Sequence, residues 1–231
     1  SNQQDEYILL KNKSQVISLK NRKEIIKHAI KKNYELIIFD DGLQDKAIDY
    51  NLKFVCFDSK NLIGNGFLIP AGPLREKINS LKKFDAVFIK NDQNLNLDDI
   101  QKIIKFENPK IEIFNSNFFV ENSSAFDKSK NYISFCGIGN PTSFNKILIK
   151  EKFNILEEII FPDHYKYNEP EIKEILIKSK KLSAKVITTE KDFVKIPDIY
   201  KKDIDFLKVK INFTDEEKLK KFLKLKLNEL N

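Results

Sequence analysis

Apolar residues fall along the chain in two alternating patterns. Short runs rich in apolar residues predict buried strands, and they occur in "ELIIFDD" (35–41), "LKFVCFD" (52–58), "FDAVFIKND" (84–92), "YISFC" (132–136), "ILEEII" (155–160) and "AKVITT" (184–189). Helical periodicity predicts amphipathic helices in "NRKEIIKHAIKKNY" and "TDEEKLKKFLKLKLNEL". The alternation predicts an α/β fold, a mostly parallel sheet with helices on both faces.

Helix-start signals divide the chain further. Pro141 and Thr142 are placed to open a helix after "FCGIGN", and Pro170 opens another after a loop that carries His164. Near the end, Thr214 and Glu217 have the spacing of a capping box.

A polar segment suggests two lobes. The stretch "NSNFFVENSSAFDKSKN" is rich in Ser and Asn, which is typical of a linker or a hairpin. We therefore predict a core of residues 1–115, a linker of residues 116–131, and a smaller α/β lobe of residues 132–231.

Composition indicates a folded globular protein. Hydrophobic residues make up 41% of the 231 residues and aromatic residues 11%, enough for a packed core. No run of eighteen apolar residues suggests a membrane span. The chain contains no Met, so we expect residue 1 not to be a translation start and the chain to be a fragment or a processed product.

The net charge of +7 permits attraction to nucleic acid, anionic lipid or phosphorylated substrates. The lysines are scattered, however, which favours solvated faces over a dedicated basic patch. Cys56 and Cys136 lie far apart without a CxxC partner, which favours two reduced core cysteines.

Acidic residues follow two of the predicted strands. Asp40 and Asp41 end "IIFDD", and Asp58 ends "FVCFD". Ligands of parallel α/β sheets bind at the carboxyl ends of the strands. Adjacent carboxylates repel each other unless a cation lies nearby, and a metal ion is the usual cation. Taken alone, the pattern is equally compatible with a turn or helix-cap acid.

Glycine and arginine are scarce, so their positions are informative. Four of the six glycines are Gly42, Gly64, Gly66 and Gly72, and the other two lie in "FCGIGNP". Apart from Arg22, the chain has one arginine, Arg75 in "LIPAGPLREK", where a forked donor could grip phosphate. The alternative is a structural salt bridge with Glu76 or another acid.

Five motifs occur in the order and approximate spacing of one family: "DDGLQ", "IGNGFLIPAGPLREK", "FCGIGNPTSF", "FPDHYKY" and "VITTEKDFVKI". Over essentially its whole length the chain resembles tetraacyldisaccharide 4'-kinase, the lipid A 4'-kinase of Gram-negative bacteria. The resemblance implies a P-loop-kinase-like fold with a smaller lobe. It also implies phosphorylation, with ATP and Mg²⁺, of the 4'-hydroxyl of a tetraacylated glucosamine disaccharide. The implied partners are this lipid A disaccharide precursor and the anionic cytoplasmic face of the inner membrane, with no nucleic acid and no obligate protein partner.

The resemblance assigns roles to residues of the first lobe. Asp40 and Asp41 match the acidic pair of the family's Walker B motif, which holds magnesium, and Gln44 follows in the same motif. Arg75 and Glu76 match the charged pair that ends the "PAGPLRE" loop, where the arginine neutralises phosphoryl charge in the transition state.

The resemblance also implies an acid–base pair. Asp5 and Glu6 resemble an acidic pair whose aspartate acts as the base on the sugar hydroxyl, and His164 matches the histidine that pairs with it. The chain departs from the family in lacking the G-x-x-x-x-G-K-[ST] loop and the N-terminal hydrophobic helix, and in having Asp45 where His is usual. Because that loop cradles the nucleotide phosphates, we expect the chain as given to be inactive.

Two other functions stay open at the level of sequence. One is a noncatalytic relative that binds nucleotide or lipid without turnover. The other is a basic nucleic-acid-binding protein, which the charge permits but which lacks stacking aromatics interleaved with arginine. The strand "AKVITT" is predicted to turn into a polar loop. The polar cluster of residues 188–191 lies at this strand end, a reasonable place for ligand contacts, but the sequence assigns it no role.

Overall fold

The computed structural model describes residues 10–11, 14–19, 21–43 and 45–230. In chain order its helices are α1 (Arg22–Lys31), α2 (Asp98–Glu107), α3 (Pro141–Lys150), α4 (Glu169–Lys181), α5 (Glu190–Phe193), α6 (Asp198–Lys201) and α7 (Glu216–Asn228). The strands are β1 (Phe54–Asp58), β2 (Ala86–Lys90), β3 (Glu112–Val120), β4 (Asn131–Cys136), β5 (Asn154–Ile160), β6 (Ala184–Thr189), β7 (Ile204–Leu207) and β8 (Val209–Phe213). Two 3₁₀ turns span Ile78–Lys83 and Ser123–Ala125.

Contacts divide the chain into two units. One comprises residues 33–119 and 211–231, and the other comprises residues 120–210 with the described residues up to Lys32. Residues 116–120, which lie inside the predicted linker, belong to β3. The predicted linker boundaries, at 115/116 and 131/132, therefore stay a prediction. The last helix, α7, belongs to the same unit as the first sheet.

The first unit contains a sheet with strand order β1-β2-β3-β8, in which β1, β2 and β3 are parallel. Alternation along β2 sends Val87 and Ile89 into a cluster with α2, while Ala86 and Phe88 join a cluster with α7. Each face of the sheet is thus covered by a helix, as the apolar character of β2 requires.

The second unit contains a sheet with strand order β5-β4-β6-β7, and all three strand pairs are parallel. Residues from α4 pack on one face with Ile133 and Phe135, and residues from α3 pack on the other with Tyr132 and Cys136. The chain leaves β4 toward β5 on one side and later toward β6 on the other. The carboxyl end of β4 is therefore the position at which such sheets bind ligands.

This architecture confirms the predicted fold class, a mixed α/β protein with parallel sheets and helices. The helix at residues 22–31 lies within the predicted segment 21–34, and the strands at 54–58 and 86–90 lie within the predicted segments 52–58 and 84–92. The predicted strand, turn and helix from "YISFC" onward are present at residues 131–150. Among the described residues, no helix combines the length and the apolar character needed to cross a bilayer.

Three local predictions are wrong. Residues 36–39 form no strand, and Ile38 is 86% exposed, because β1 is the end strand of its sheet and no described residues pair with its outer edge. The last helix is capped by Asp215, which accepts from the Lys218 N–H, and not by Thr214, whose N–H pairs with Asn115 of β3. Part of the predicted loop after β6 is the short helix α5.

Helix α3 offers a direct test of packing, because two consecutive residues on it, Leu148 and Ile149, are buried and exposed respectively. Leu148 is 0% exposed and Ile149 is 66% exposed. We expect Leu148→Ala to lower the free energy of unfolding by about 2–5 kcal/mol, because it leaves a cavity in the core. The control, Ile149→Ala, should change it by less than about 0.5 kcal/mol. Urea unfolding followed by circular dichroism measures both, and equal losses would contradict the packing.

Candidate active site

The structure brings the acidic pair and the rare arginine together. The Arg75 guanidinium donates from Nη1 to Oδ1 of Asp41 at 3.0 Å, although 34 positions separate the two residues. Both side chains are largely solvent-exposed, so the ion pair by itself adds little stability. Asp41 also has a positive φ of 48°, a conformation uncommon for residues other than glycine. Arg75 therefore lies beside Asp41 with both charges accessible to a ligand.

The loop that carries Arg75 is held by its own hydrogen bonds. The Asn65 side chain donates to the Ala71 carbonyl at 2.8 Å and accepts from the Phe67 N–H at 3.2 Å. A Cβ at Gly72 would lie 2.4 Å from the Phe67 carbonyl oxygen, so only glycine fits there. These contacts fix the backbone that leads into Arg75.

A cavity of about 600 Å³ lies between this loop, β1 and residues 39–43. Its walls include aromatic side chains from β1 and the charged groups of Asp40, Asp41, Arg75 and Glu76. Asp58 also lines it but pairs with Lys90 at 2.7 Å. The cavity therefore combines apolar walls with a few charged groups, as ligand sites commonly do.

The acidic pair can supply two carboxylate ligands to a cation. No three His, Cys, Asp or Glu side chains are grouped to hold a metal in the part of the chain that the structure describes. Mg²⁺ in nucleotide sites uses one or two carboxylates, with phosphate oxygens and water completing its shell. Asp40 and Asp41 fit that donor set, but not a site built from protein ligands alone.

In the second unit, three loops meet at the carboxyl ends of the strands. Gly137 follows β4, His164 lies in the loop after β5, and Thr189 ends β6. The His164 N–H donates to the Gly137 carbonyl at 3.2 Å and to Oδ1 of Asp163 at 2.9 Å. His164 has φ of 59°, so its backbone is held in a left-handed conformation.

The loop after β6 contains a buried acid that the sequence analysis missed. Asp192 is fully buried and accepts from the Gly137 N–H and the Thr189 hydroxyl. The available sequence signal was the spacing Thr-x-x-Asp from Thr189 to Asp192, which is typical of the N-terminus of a helix and here caps α5. Three predicted site residues, Asp5, Glu6 and Gln44, lie outside the described residues.

Parallel sheets covered by helices place this chain among the α/β proteins, and an acid–arginine cluster lines a cavity of its first unit. A solved structure supports the fold: the apo-form LpxK of Aquifex aeolicus, crystallised in complex with ATP, superposes with a TM-score of 0.60 at 24% identity over 87% of this chain. The profile of the tetraacyldisaccharide-1-P 4'-kinase family, LpxK, matches residues 2–228. This chain belongs to that family.

Curated relatives agree with this assignment. The tetraacyldisaccharide 4'-kinase of Pelagibacter ubique is 41% identical over 230 residues, which is 100% of this chain and 73% of that protein. The enzyme of Rickettsia felis is 38% identical over 84% of this chain and 58% of its own length. This chain spans 61% of the Aquifex protein.

The two cysteines should differ sharply in reactivity. Burial, then the charge of Asp192, raises the pKa of the Cys136 thiol to about 11. The prediction of a core cysteine is wrong for Cys56, which is exposed. Partial enclosure and then the charges of Asp40 and Asp41 raise the pKa of its thiol as well. We expect a disulfide reagent at pH 8 to label one thiol of the native chain, at a rate that still increases above pH 9, and both thiols in denaturant. Cys56→Ser should abolish the native signal, and rapid labelling of two native thiols would contradict this assignment.

Proposed function

We propose that this protein transfers the γ-phosphate of ATP to the 4'-hydroxyl of a tetraacylated glucosamine disaccharide, a step of lipid A biosynthesis. The reaction takes place at the cytoplasmic face of the inner membrane, whose anionic surface holds the lipid substrate. The observation that carries the proposal is the contact between Arg75 and Asp41, because it joins the two motifs that such a transfer needs at one cavity. Family membership supports it independently.

Asp40 and Asp41 would hold Mg²⁺ as the Walker B pair, with Gln44 in the same motif. When bound, the ion shields the negative charge of the nucleotide phosphates and favours transfer. The carboxylates contribute by being adjacent at the cavity wall, where their mutual repulsion is relieved by a cation.

Arg75 binds the phosphoryl group that is transferred. A guanidinium presents two parallel N–H donors, which match the oxygens of a phosphoryl group as its charge spreads in the transition state. Asp41 accepts a hydrogen bond from the guanidinium and keeps the Arg75 side chain at the cavity. Glu76, which follows Arg75 and also lines the cavity, orients the bound groups from the same loop.

His164 assists the removal of the proton from the sugar hydroxyl. Asp5 accepts that proton, and the imidazole pairs with the carboxylate to orient it, as the resemblance of both motifs implies. The hydrogen bonds to Gly137 and Asp163 support the assignment of His164, because they hold its backbone in one conformation. Two residues that act as a unit in one proton transfer have strongly non-additive effects on rate.

Magnesium binding can be tested without turnover through Cys56, which lies on the same cavity as the acidic pair. Burial, and then the charges of Asp40 and Asp41, raise the pKa of Cys56, so a bound cation should lower that pKa and increase the thiolate fraction. In the full-length gene product, we expect millimolar Mg²⁺ with ATP to increase the labelling rate of Cys56 at pH 8 by about 2- to 10-fold. The response should vanish in Asp40→Asn/Asp41→Asn. An unchanged rate in the unsubstituted full-length protein would argue against a metal site here.

Substitution of Arg75 distinguishes a residue that binds the phosphoryl group from one that only forms a structural salt bridge. In the full-length gene product, we expect Arg75→Lys to lower kcat by about 10²- to 10³-fold, because a point charge cannot reproduce the forked contact. The matched control is Arg22→Lys on α1, the same substitution at the other arginine, which should leave kcat unchanged. Phosphate transfer to the disaccharide lipid measures both. A near-normal rate for Arg75→Lys would assign Arg75 to the salt bridge.

A second kinetic prediction concerns Mg²⁺ binding by the acidic pair. Asp41→Asn should lower kcat by a similar factor and raise the Mg²⁺ concentration needed for half-maximal rate, because one carboxylate ligand is lost. Asp49→Asn, at an exposed acid paired with Lys53, is the control and should change neither quantity. If Asp41→Asn retains the ordinary Mg²⁺ dependence, the ion is held elsewhere.

A further inference from the structure

Asp192 is a buried acid for which the proposed reaction so far has no use. It lies in α5 directly after β6, and its side chain is 0% exposed. A buried carboxylate is costly unless donors surround it. The donors around Asp192 therefore indicate what the fold gains from burying it.

Three donors converge on this carboxylate, one from the turn after β4 and two from the segment 189–195. Oδ2 accepts from the Gly137 N–H at 3.0 Å and from the Thr189 hydroxyl at 2.7 Å. Oδ1 lies 2.7 Å from Nζ of Lys195, which is itself only 7% exposed. Replacing such an ion pair with apolar groups is often neutral or stabilising, so stability alone does not account for it.

Gly137 connects Asp192 to the loop after β5. The N–H of Gly137 donates to Asp192, and its carbonyl accepts from the His164 N–H at 3.2 Å. The loop also packs directly on Gly137: a Cβ there would lie 3.0 Å from Cβ of Tyr165 and 3.1 Å from the Pro162 carbonyl oxygen. The position of Gly137 therefore determines where the His164 backbone lies.

His164 depends on these contacts for its conformation. A left-handed backbone at a residue other than glycine is unfavourable and persists only where the surroundings hold it. A shift of the Gly137 peptide would remove one of the acceptors that hold the His164 N–H. The effect of losing Asp192 should therefore reach the imidazole without any direct contact between the two side chains.

We propose that Asp192 is a positioning residue for His164, acting through the backbone of Gly137, and that Thr189 of the polar cluster takes part in this role. Thr189 orients the carboxylate and Lys195 balances its charge. The proposal rests on the proposed function for the importance of His164, but the contact pathway itself can be tested without catalysis.

The test uses two neutral double variants that differ in one acceptor. Asp192→Asn/Lys195→Met keeps an amide oxygen for the Gly137 N–H, while Asp192→Leu/Lys195→Met removes it and keeps the branching at Cγ. Because the chain has only His28 and His164, its imidazole NMR spectrum contains two sets of signals, and His28 on α1 is an internal reference. We expect the His164 signal to keep its position in the Asn variant and to shift in the Leu variant. In the Leu variant the Gly137 amide should also exchange with solvent about 10-fold faster.

A matched control separates positioning from general destabilisation. Thr188→Val alters the neighbouring buried residue, whose hydroxyl donates to the Phe135 carbonyl at 2.7 Å and not to Asp192. It should lower stability and leave the His164 signal in place. Should the Leu variant not fold, Thr189→Val, which removes one donor to Asp192, must move the His164 signal while His28 stays fixed. An unmoved His164 signal in the folded Leu variant, or equal shifts in both double variants, overturns the proposal.

Kinetics in the full-length gene product then relate the pathway to turnover. We expect the Leu double variant to lower kcat by about 10-fold or more with little change in KM, and to have no further effect when His164 is Ala. A multiplicative loss in the His164→Ala background would overturn the positioning role. If the unsubstituted protein transfers no phosphate but the NMR result holds, the proposed function fails and the contact pathway stands.

Discussion

The fold of both units depends on strands that pair in parallel. Parallel strands cannot be joined by tight hairpins, so each pair needs a crossover connection. In the second sheet these crossovers supply the helices that cover the two faces, α3 and α4, and in the first sheet a crossover supplies α2, while α7 follows the last strand. The same constraint brings the carboxyl ends of the strands to one edge. Gly137, His164 and Thr189, which are far apart in sequence, meet for this reason.

The pairing also explains which elements the sequence could predict. Segments such as β2 and β4 could be predicted as strands from their apolar residues, because both faces of these strands are buried. β7 and β8 were not predicted, because a single residue, Lys208, separates them and no turn signal divides the segment into two strands. The segment 36–39 was wrongly predicted to be a strand. Its apolar pattern is strong, but a strand also needs a neighbouring strand to pair with, and pairing is not a local property of the sequence.

The site was predictable in parts. Arg75 could be identified because arginine is scarce in this chain, and Asp40 and Asp41 because two acids follow each other at the end of an apolar run. The contact between Arg75 and Asp41 spans 34 positions, and no local pattern encodes it. Asp192 illustrates the limit more clearly. In sequence it is one more acid among lysines, and its spacing from Thr189 suggests an exposed helix cap. Only the tertiary approach of Gly137 turns it into a buried acceptor.

The tight approach at two glycines has a consequence for how the gene can change. At Gly72 a Cβ would collide with the backbone of Phe67, whereas at Gly137 it would lie 3.0 Å from Cβ of Tyr165, so the loop that carries His164 would have to shift by a few tenths of an ångström. The chain has only six glycines, and lysine supplies most of its positive charges. Lysines on solvated faces can therefore be exchanged with little effect on the fold, while a substitution at either glycine displaces a loop that carries a candidate site residue.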